Sequence, residues 1–278
     1  MTRYYRFGST VLRLGAPSFP EGAQFQIFSC PPTSPDLTVQ IRYEKDPPIP
    51  AGKARHEADA DWYADEHGET VVVRTPDGTV LWVAEYGKDG SVDAAFNTSA
   101  KVPLTTFVIS EIVDLPRLLL QRQAVVLHSS FVAVQNQAIL FTAAKQTGKS
   151  TQASLWEQHA GALVVNGDRA LIEKRADGYY ACGLPYAGTS KICNNASFPL
   201  RAIVILSQGT VNDVRPASER EAIRALLSGC SFDQGSAASV DAFFGIAQSL
   251  ALSVPFYSMT CLPDETAVDC LKAALSLD

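Results

Sequence analysis

Residues 137–157, QAILFTAAKQTGKSTQASLWE, constrain the fold more than any other stretch of the chain. An apolar run at 138–141 breaks at small and polar residues, passes Thr147-Gly148-Lys149-Ser150-Thr151, and resumes with helical character. The order is strand, loop, helix. Such a loop binds phosphate because successive backbone N–H groups point inward and the following helix presents its positive end to an anion. Lys149 adds a mobile cation, and the Ser150 hydroxyl is a ligand for Mg²⁺. The candidate phosphate-binding residues are Ala144, Lys145, Gln146, Thr147, Gly148, Lys149, Ser150 and Thr151. The pattern departs from G-x-x-x-x-G-K-[ST] at its first position, where Ala143 replaces the glycine that permits positive φ and close backbone approach. A surface loop that merely contains Gly-Lys-Ser is the alternative, and the strand before and helix after weigh against it.

A chain of 278 residues buries a substantial core as one large or two modest domains. Hydrophobic residues at 46% and charged residues at 19% are ordinary for a globular protein. A net charge of −6 with a pI near 5.3, and no basic patch, argues against nucleic acid as a partner. The first residues, MTRYYRFGSTVLRLG, lack the apolar core of a signal peptide, and no apolar run reaches membrane-spanning length. No membrane partner is therefore expected. The six cysteines include no C-x-x-C, so buried thiols in a reducing cytoplasm are expected rather than a disulfide framework or zinc site.

Between residues 4 and 86 the hydrophobic period is mostly two. Segments 37–43, 70–74 and 80–86, the last two joined across Pro76-Asp77-Gly78, predict hairpins of an antiparallel sheet. Residues 56–69, HEADADWYADEHGE, read as a solvated acidic loop, since their spacing matches no metal-ligand motif. Residues 104–121 have helical spacing with a break or kink at Pro116. Strands are then expected at 125–134, 138–142, 162–165, 171–174, 179–182, 200–206 and 255–260. Helices are expected at 149–158, 218–227, 240–252 and 265–275, and a Gly/Pro-rich loop at 183–195.

Residues outside the loop also stand where chemistry could use them. Asp168 ends a short apolar strand 19 residues after Lys149. A carboxylate there can hold Mg²⁺, accept a proton from a hydroxyl, or do both; the alternative is a turn aspartate after Asn-Gly. His128 lies within an apolar strand 21 residues before Lys149, where a core histidine is an equal alternative. Arg169 adds a cation for phosphate or is a surface arginine. Gly188, Thr189, Ser190 and Lys191 offer two hydroxyls, a cation and flexible backbone, either as a loop over the phosphates or acceptor or as an ordinary turn.

Leu127-His128-Ser129, then ILFTAAKQTGKST, then VVNGDRALI resembles the HPr kinase/phosphorylase family and its kinase-like relatives over about residues 125–207. Gly183, Pro185, Tyr186, Gly188 and Thr189 also match a G-x-P-[FY]-x-G-[ST] loop of such relatives. The resemblance implies a phosphoenolpyruvate carboxykinase-like fold, with ATP and Mg²⁺ as cofactors. It further implies Lys149 as phosphate ligand, Ser150 as metal ligand, His128 as an active-site residue and Asp168 as base, metal ligand or both. Two features depart from the family pattern. Gly167 precedes a single Asp168 where two adjacent aspartates are usual, and the E-x-R-G stretch tied to dual activity has no match between residues 179 and 200.

The expected architecture is α/β, with a β-rich region at residues 1–115 and a carboxykinase-like P-loop kinase domain at 116–278. The expected activity is transfer of the γ-phosphoryl of ATP to a hydroxyl, on serine or otherwise, of a protein, peptide or small molecule. Two alternatives stay open: a nucleotide-binding regulatory module without transfer, and a doubly wound P-loop ATPase or GTPase. Members of the resembling family commonly assemble, which leaves a homo-oligomer open.

Overall fold

The period-two segments of the amino-terminal half pair into one sheet of eight strands among the residues described. The computed structural model describes residues 1–18, 23–57, 60–66, 68–186 and 188–277. The chain is mixed α/β, with two large sheets and packed helices, and it divides into two units at residues 121 and 122.

The first unit contains β1 (Thr2–Phe7), β2 (Thr10–Gly15), α1 (Ala23–Gln26), β3 (Leu37–Glu44), β4 (Arg55–Glu57), β5 (Ala60–Ala64), β6 (Gly68–Arg74), β7 (Val80–Gly87), β8 (Ser91–Asn97), α2 (Thr106–Val113) and α3 (Leu115–Gln121). The strand order is β1-β2-β3-β8-β7-β6-β5-β4. Its β6–β7 pair is the expected antiparallel hairpin, and β8, a strand outside the expected segments, pairs antiparallel with β7. The sheet is nevertheless mixed, because β3 lies parallel to both β2 and β8. Residue periodicity sets which side chains face inward; it does not set strand direction.

The acidic stretch expected as a loop is largely strand. Residues 58, 59 and 67 fall outside the described residues, but β4, β5 and the start of β6 occupy most of the rest. Its charge is matched by neighbours: Asp61 accepts from Arg74 Nε at 3.2 Å and lies 2.8 Å from His56 Nδ1. Trp62 is covered by the guanidinium groups of Arg55 and Arg117, at 5.2 and 4.7 Å from the ring centre. The helical stretch breaks at Asp114, which has φ +39°, rather than at Pro116. Pro116 falls in the first turn of α3, where a missing N–H leaves no bond unmade.

The second unit contains β9 (Ala124–Val134), β10 (Gln137–Thr142), α4 (Lys149–Ala160), β11 (Leu163–Asn166), β12 (Arg169–Arg175), β13 (Gly178–Cys182), β14 (Ser197–Gln208), β15 (Asp213–Pro216), α5 (Glu219–Gly229), α6 (Ala237–Ser253), β16 (Phe256–Cys261) and α7 (Glu265–Leu275). Gln135 and Asn136, at φ +47° and +58°, turn β9 tightly into β10. The ladder closes on itself: β9 pairs with β10, β10 with β14, β14 with β13, β13 with β12, and β12 with β9. Strand β10, which feeds the loop, has β9 antiparallel on one side and β14 parallel on the other. That mixed pairing differs from the all-parallel sheet of doubly wound P-loop proteins.

One face of this sheet carries Ile139, Phe141, Val204 and Met259, and packs against Ala153 and Trp156 of α4 and Val268 and Leu271 of α7. Trp156 is fully buried, its ring centre 6.2 Å from that of Phe141. Positions 149, 152, 153 and 156 of α4 are all buried, which is the spacing of one helical face. The thiols are free and are buried or half-buried. Among the described residues no helix is long and apolar enough to cross a membrane.

Candidate active site

Strand β9 brings the separated parts together because different stretches of it pair with different strands. Residues 129–134 pair with β10, so Ser129 faces Thr142, the last residue before the loop. Residues 124–128 pair with β12, so His128 faces Arg169. Two side links fasten the junction: Ser129 N donates to Asp168 O at 3.0 Å, and Thr142 Oγ1 donates to His128 O at 3.2 Å. His128, Asp168 and the root of the loop therefore meet at one point of the sheet.

The loop runs over residues 143–148. Gln146 has φ +63° and Gly148 φ +108°, a left-handed pair of turns that leads into α4. Thr147 Oγ1 donates to Ala144 O at 3.0 Å and closes the loop on itself. Gly148 is the N-cap of α4 and offers no side chain to its first turn, and a Cβ built on it would meet no atom within 4 Å. The positive end of α4 thus opens onto free space beside the loop. Ala144, Lys145, Gln146, Ser150 and Thr151 are exposed, and Thr147 is half-buried. Lys149 is buried, with Nζ donating to Ala143 O at 3.0 Å and Ala144 O at 3.2 Å. Burial lowers its pKa, and the charge of Asp168 opposes that shift.

Asp168 approaches His128 Nδ1 at 3.5 Å through Oδ1 and Arg169 Nε at 3.4 Å through Oδ2. Burial is the largest cause lowering the His128 pKa, and the neighbouring Lys149 charge adds to it; Asp168 pulls the other way. From an ordinary value of 6.5 the imidazole is pushed toward its neutral form at pH 7. The Arg169 guanidinium lies over the Tyr186 ring at 5.3 Å.

The 188–191 segment belongs to the same site. Gly188, at φ +51°, is so close to Asp168 that a Cβ on it would lie 2.7 Å from the carboxylate carbon. A Cβ on Gly167 would lie 2.1 Å from Ser190 Oγ. The two glycines let the 188–190 turn rest directly on the Asp168 turn. Lys191 is exposed, with φ +57°. The Thr189 side chain and Ala187, the variable residue of the G-x-P-[FY]-x-G-[ST] match, lie outside the described residues.

Asn166 is the residue that sequence reasoning passed over. It is fully buried, and its Oδ1 accepts from Asp168 N at 2.9 Å and Arg169 N at 3.0 Å. Its Nδ2 donates to Leu184 O at 2.8 Å and Tyr186 O at 2.9 Å. Asn-Gly-Asp reads as a plain turn in one dimension, although an asparagine that closes an apolar strand is the available signal.

No protein-family model and no curated protein matches the sequence. Among solved structures, the HPr(Ser) kinase/phosphatase from Coxiella burnetii aligns over 54% of this chain and 92% of its own, with a TM-score of 0.32 and 13% identity.

Proposed function

We propose that the second unit is a phosphotransferase that moves the γ-phosphoryl of ATP, with Mg²⁺, to a hydroxyl of a protein, peptide or small molecule. The observation that carries this reading is the convergence of Lys149, His128 and Asp168 where β10 turns into α4. The donor set fits a nucleoside triphosphate: an uncapped helix start with open space beside Gly148, an ammonium inside the loop, and an exposed Ser150 at the first turn. Mg²⁺-ATP supplies the transferable group and the divalent charge. Lys149 and the N–H groups of residues 148–151 hold phosphate oxygens. Ser150 Oγ and one Asp168 oxygen serve as metal ligands. Asp168 takes the proton from the acceptor hydroxyl. His128, neutral and beside it, orients that carboxylate, and the 188–191 segment borders the acceptor.

The HPr kinase-like motifs agree with this assignment, as does a mixed sheet in place of an all-parallel one. Catalysis of this kind needs positioning and charge stabilisation more than covalent chemistry, so a single well-placed base is sufficient. A nucleotide-binding module without transfer is the competing reading, favoured by the single carboxylate of the Gly167-Asp168 turn.

Calorimetry with Mg²⁺-ATP, followed by mass spectrometry of candidate acceptors for an added phosphoryl group, separates the two. Binding together with transfer supports the kinase. Binding with the γ-phosphate retained under every acceptor supports the module. In the Lys149→Ala protein transfer is abolished while the fold, read by circular dichroism, is kept; normal turnover by that variant would sink the assignment.

A further inference from the structure

We infer that Asn166 is a positioning residue for the transfer step, holding Asp168 and the 184–186 segment in one fixed relation. The inference rests on the phosphotransferase reading. Asn166 is fully buried and uses both ends of its carboxamide. Oδ1 holds the backbone N–H groups of Asp168 and Arg169, which sets the direction in which the Asp168 carboxylate leaves the turn. Nδ2 holds the carbonyls of Leu184 and Tyr186, which begin the segment that passes over Asp168 at Gly188. Arg169 stacks on Tyr186, so the residues on either side of this brace also touch directly.

The residue type is specific to the task. Two acceptor contacts close the turn, and aspartate, serine or threonine could make them equally well. Two donor contacts to carbonyls on another segment need an amide nitrogen, which aspartate lacks and a hydroxyl cannot supply twice. Glutamine has the groups but adds a methylene, in a position with no exposed surface. A turn asparagine with only a local role would leave its nitrogen to solvent; here the nitrogen links residues 18 and 20 positions farther along the chain.

Asn166→Asp separates the two functions. It keeps the shape and the acceptor contacts of the turn, and sets a carboxylate oxygen against the Leu184 and Tyr186 carbonyls. The comparison is Asn194→Ala, which removes a brace in the same region, Asn194 Nδ2 to Val164 O at 3.1 Å, without touching the Asp168 turn. Melting temperature, Kd for Mg²⁺-ATP and rate of ADP release from Mg²⁺-ATP are measured for the unaltered chain and both variants. Both variants melt lower. Asn166→Asp loses roughly 10- to 100-fold in rate, the scale of a misplaced catalytic group, while its Kd for Mg²⁺-ATP weakens by much less, because the phosphate loop is on other elements and only the Asp168 contact to the metal is disturbed. Asn194→Ala keeps both Kd and rate. Asn166→Ser, which restores only the acceptor end, stays as slow as Asn166→Asp. Wild-type rate in folded Asn166→Asp or Asn166→Ser, or an equal loss in Asn194→Ala, overturns the inference. Failure of the unaltered chain to bind or turn over ATP instead overturns the phosphotransferase reading, and the inference with it.

Discussion

Gly188 shows how tightly the site is built at the scale of single residues. Its backbone is left-handed, and its missing Cβ is the space that Asp168 occupies. In Gly188→Ala the left-handed φ alone costs about 1–2 kcal/mol, and the new methyl must also displace the carboxylate. Denaturant unfolding should register that loss, and the rate of ADP release from Mg²⁺-ATP should fall; an unchanged rate would show that the 188–191 segment does not border the reaction. A side chain at the paired glycine, Gly167, would run into Ser190.

Among the elements, α5 offers a pH test that is independent of any activity. Ser218 and Glu221 form a reciprocal capping box at its start, and Arg215 of β15 donates to both Glu221 oxygens, at 3.1 and 2.6 Å. The Arg215 guanidinium first, and the Ser218 contacts second, hold the Glu221 carboxyl down at about 2, from 4.5. A carboxyl whose folded pKa lies below its unfolded value binds fewer protons when folded. Its stabilisation is therefore present above pH 4.5 and is lost as pH falls toward 2. Melting temperature should drop more steeply across that window in the unaltered protein than in Glu221→Gln, and high salt should narrow the difference, because the group is exposed to solvent. Equal slopes would show that the ion pair does not set the titration.

In the second unit as a whole, α4 serves both the core and the site. The buried face that packs Ala153 and Trp156 onto Phe141 also carries Lys149 at its first turn. Trp156→Ala should lower unfolding free energy by about 3–5 kcal/mol, measured in denaturant, since the site cannot collapse to fill so large a volume. A loss under about 1 kcal/mol would contradict the packing described. Much of this architecture was legible in the sequence, because a strand of AILF, a Gly-Lys-Ser turn and a helix with buried residues three and four apart are local patterns. The elements from β9 to α7 follow those patterns with few exceptions; the short edge strand β15 carried too little periodicity to be read. Acidic residues disguised β4 and β5, because a charge on a strand looks like a loop residue when its partner lies on another strand, as Arg74 of β6 does for Asp61. Local pattern alone marked most elements of the second unit, the Gly-Lys-Ser loop between β10 and α4, and His128 and Asp168 as candidate residues, since short-range periodicity and turn chemistry are enough for those. The folded chain alone reveals that β10 has one antiparallel and one parallel neighbour, that β9 sets His128 beside Asp168, and that Asn166 joins that turn to the 184–186 segment. Those relations depend on strand register and on hydrogen bonds between distant residues, which no local pattern encodes.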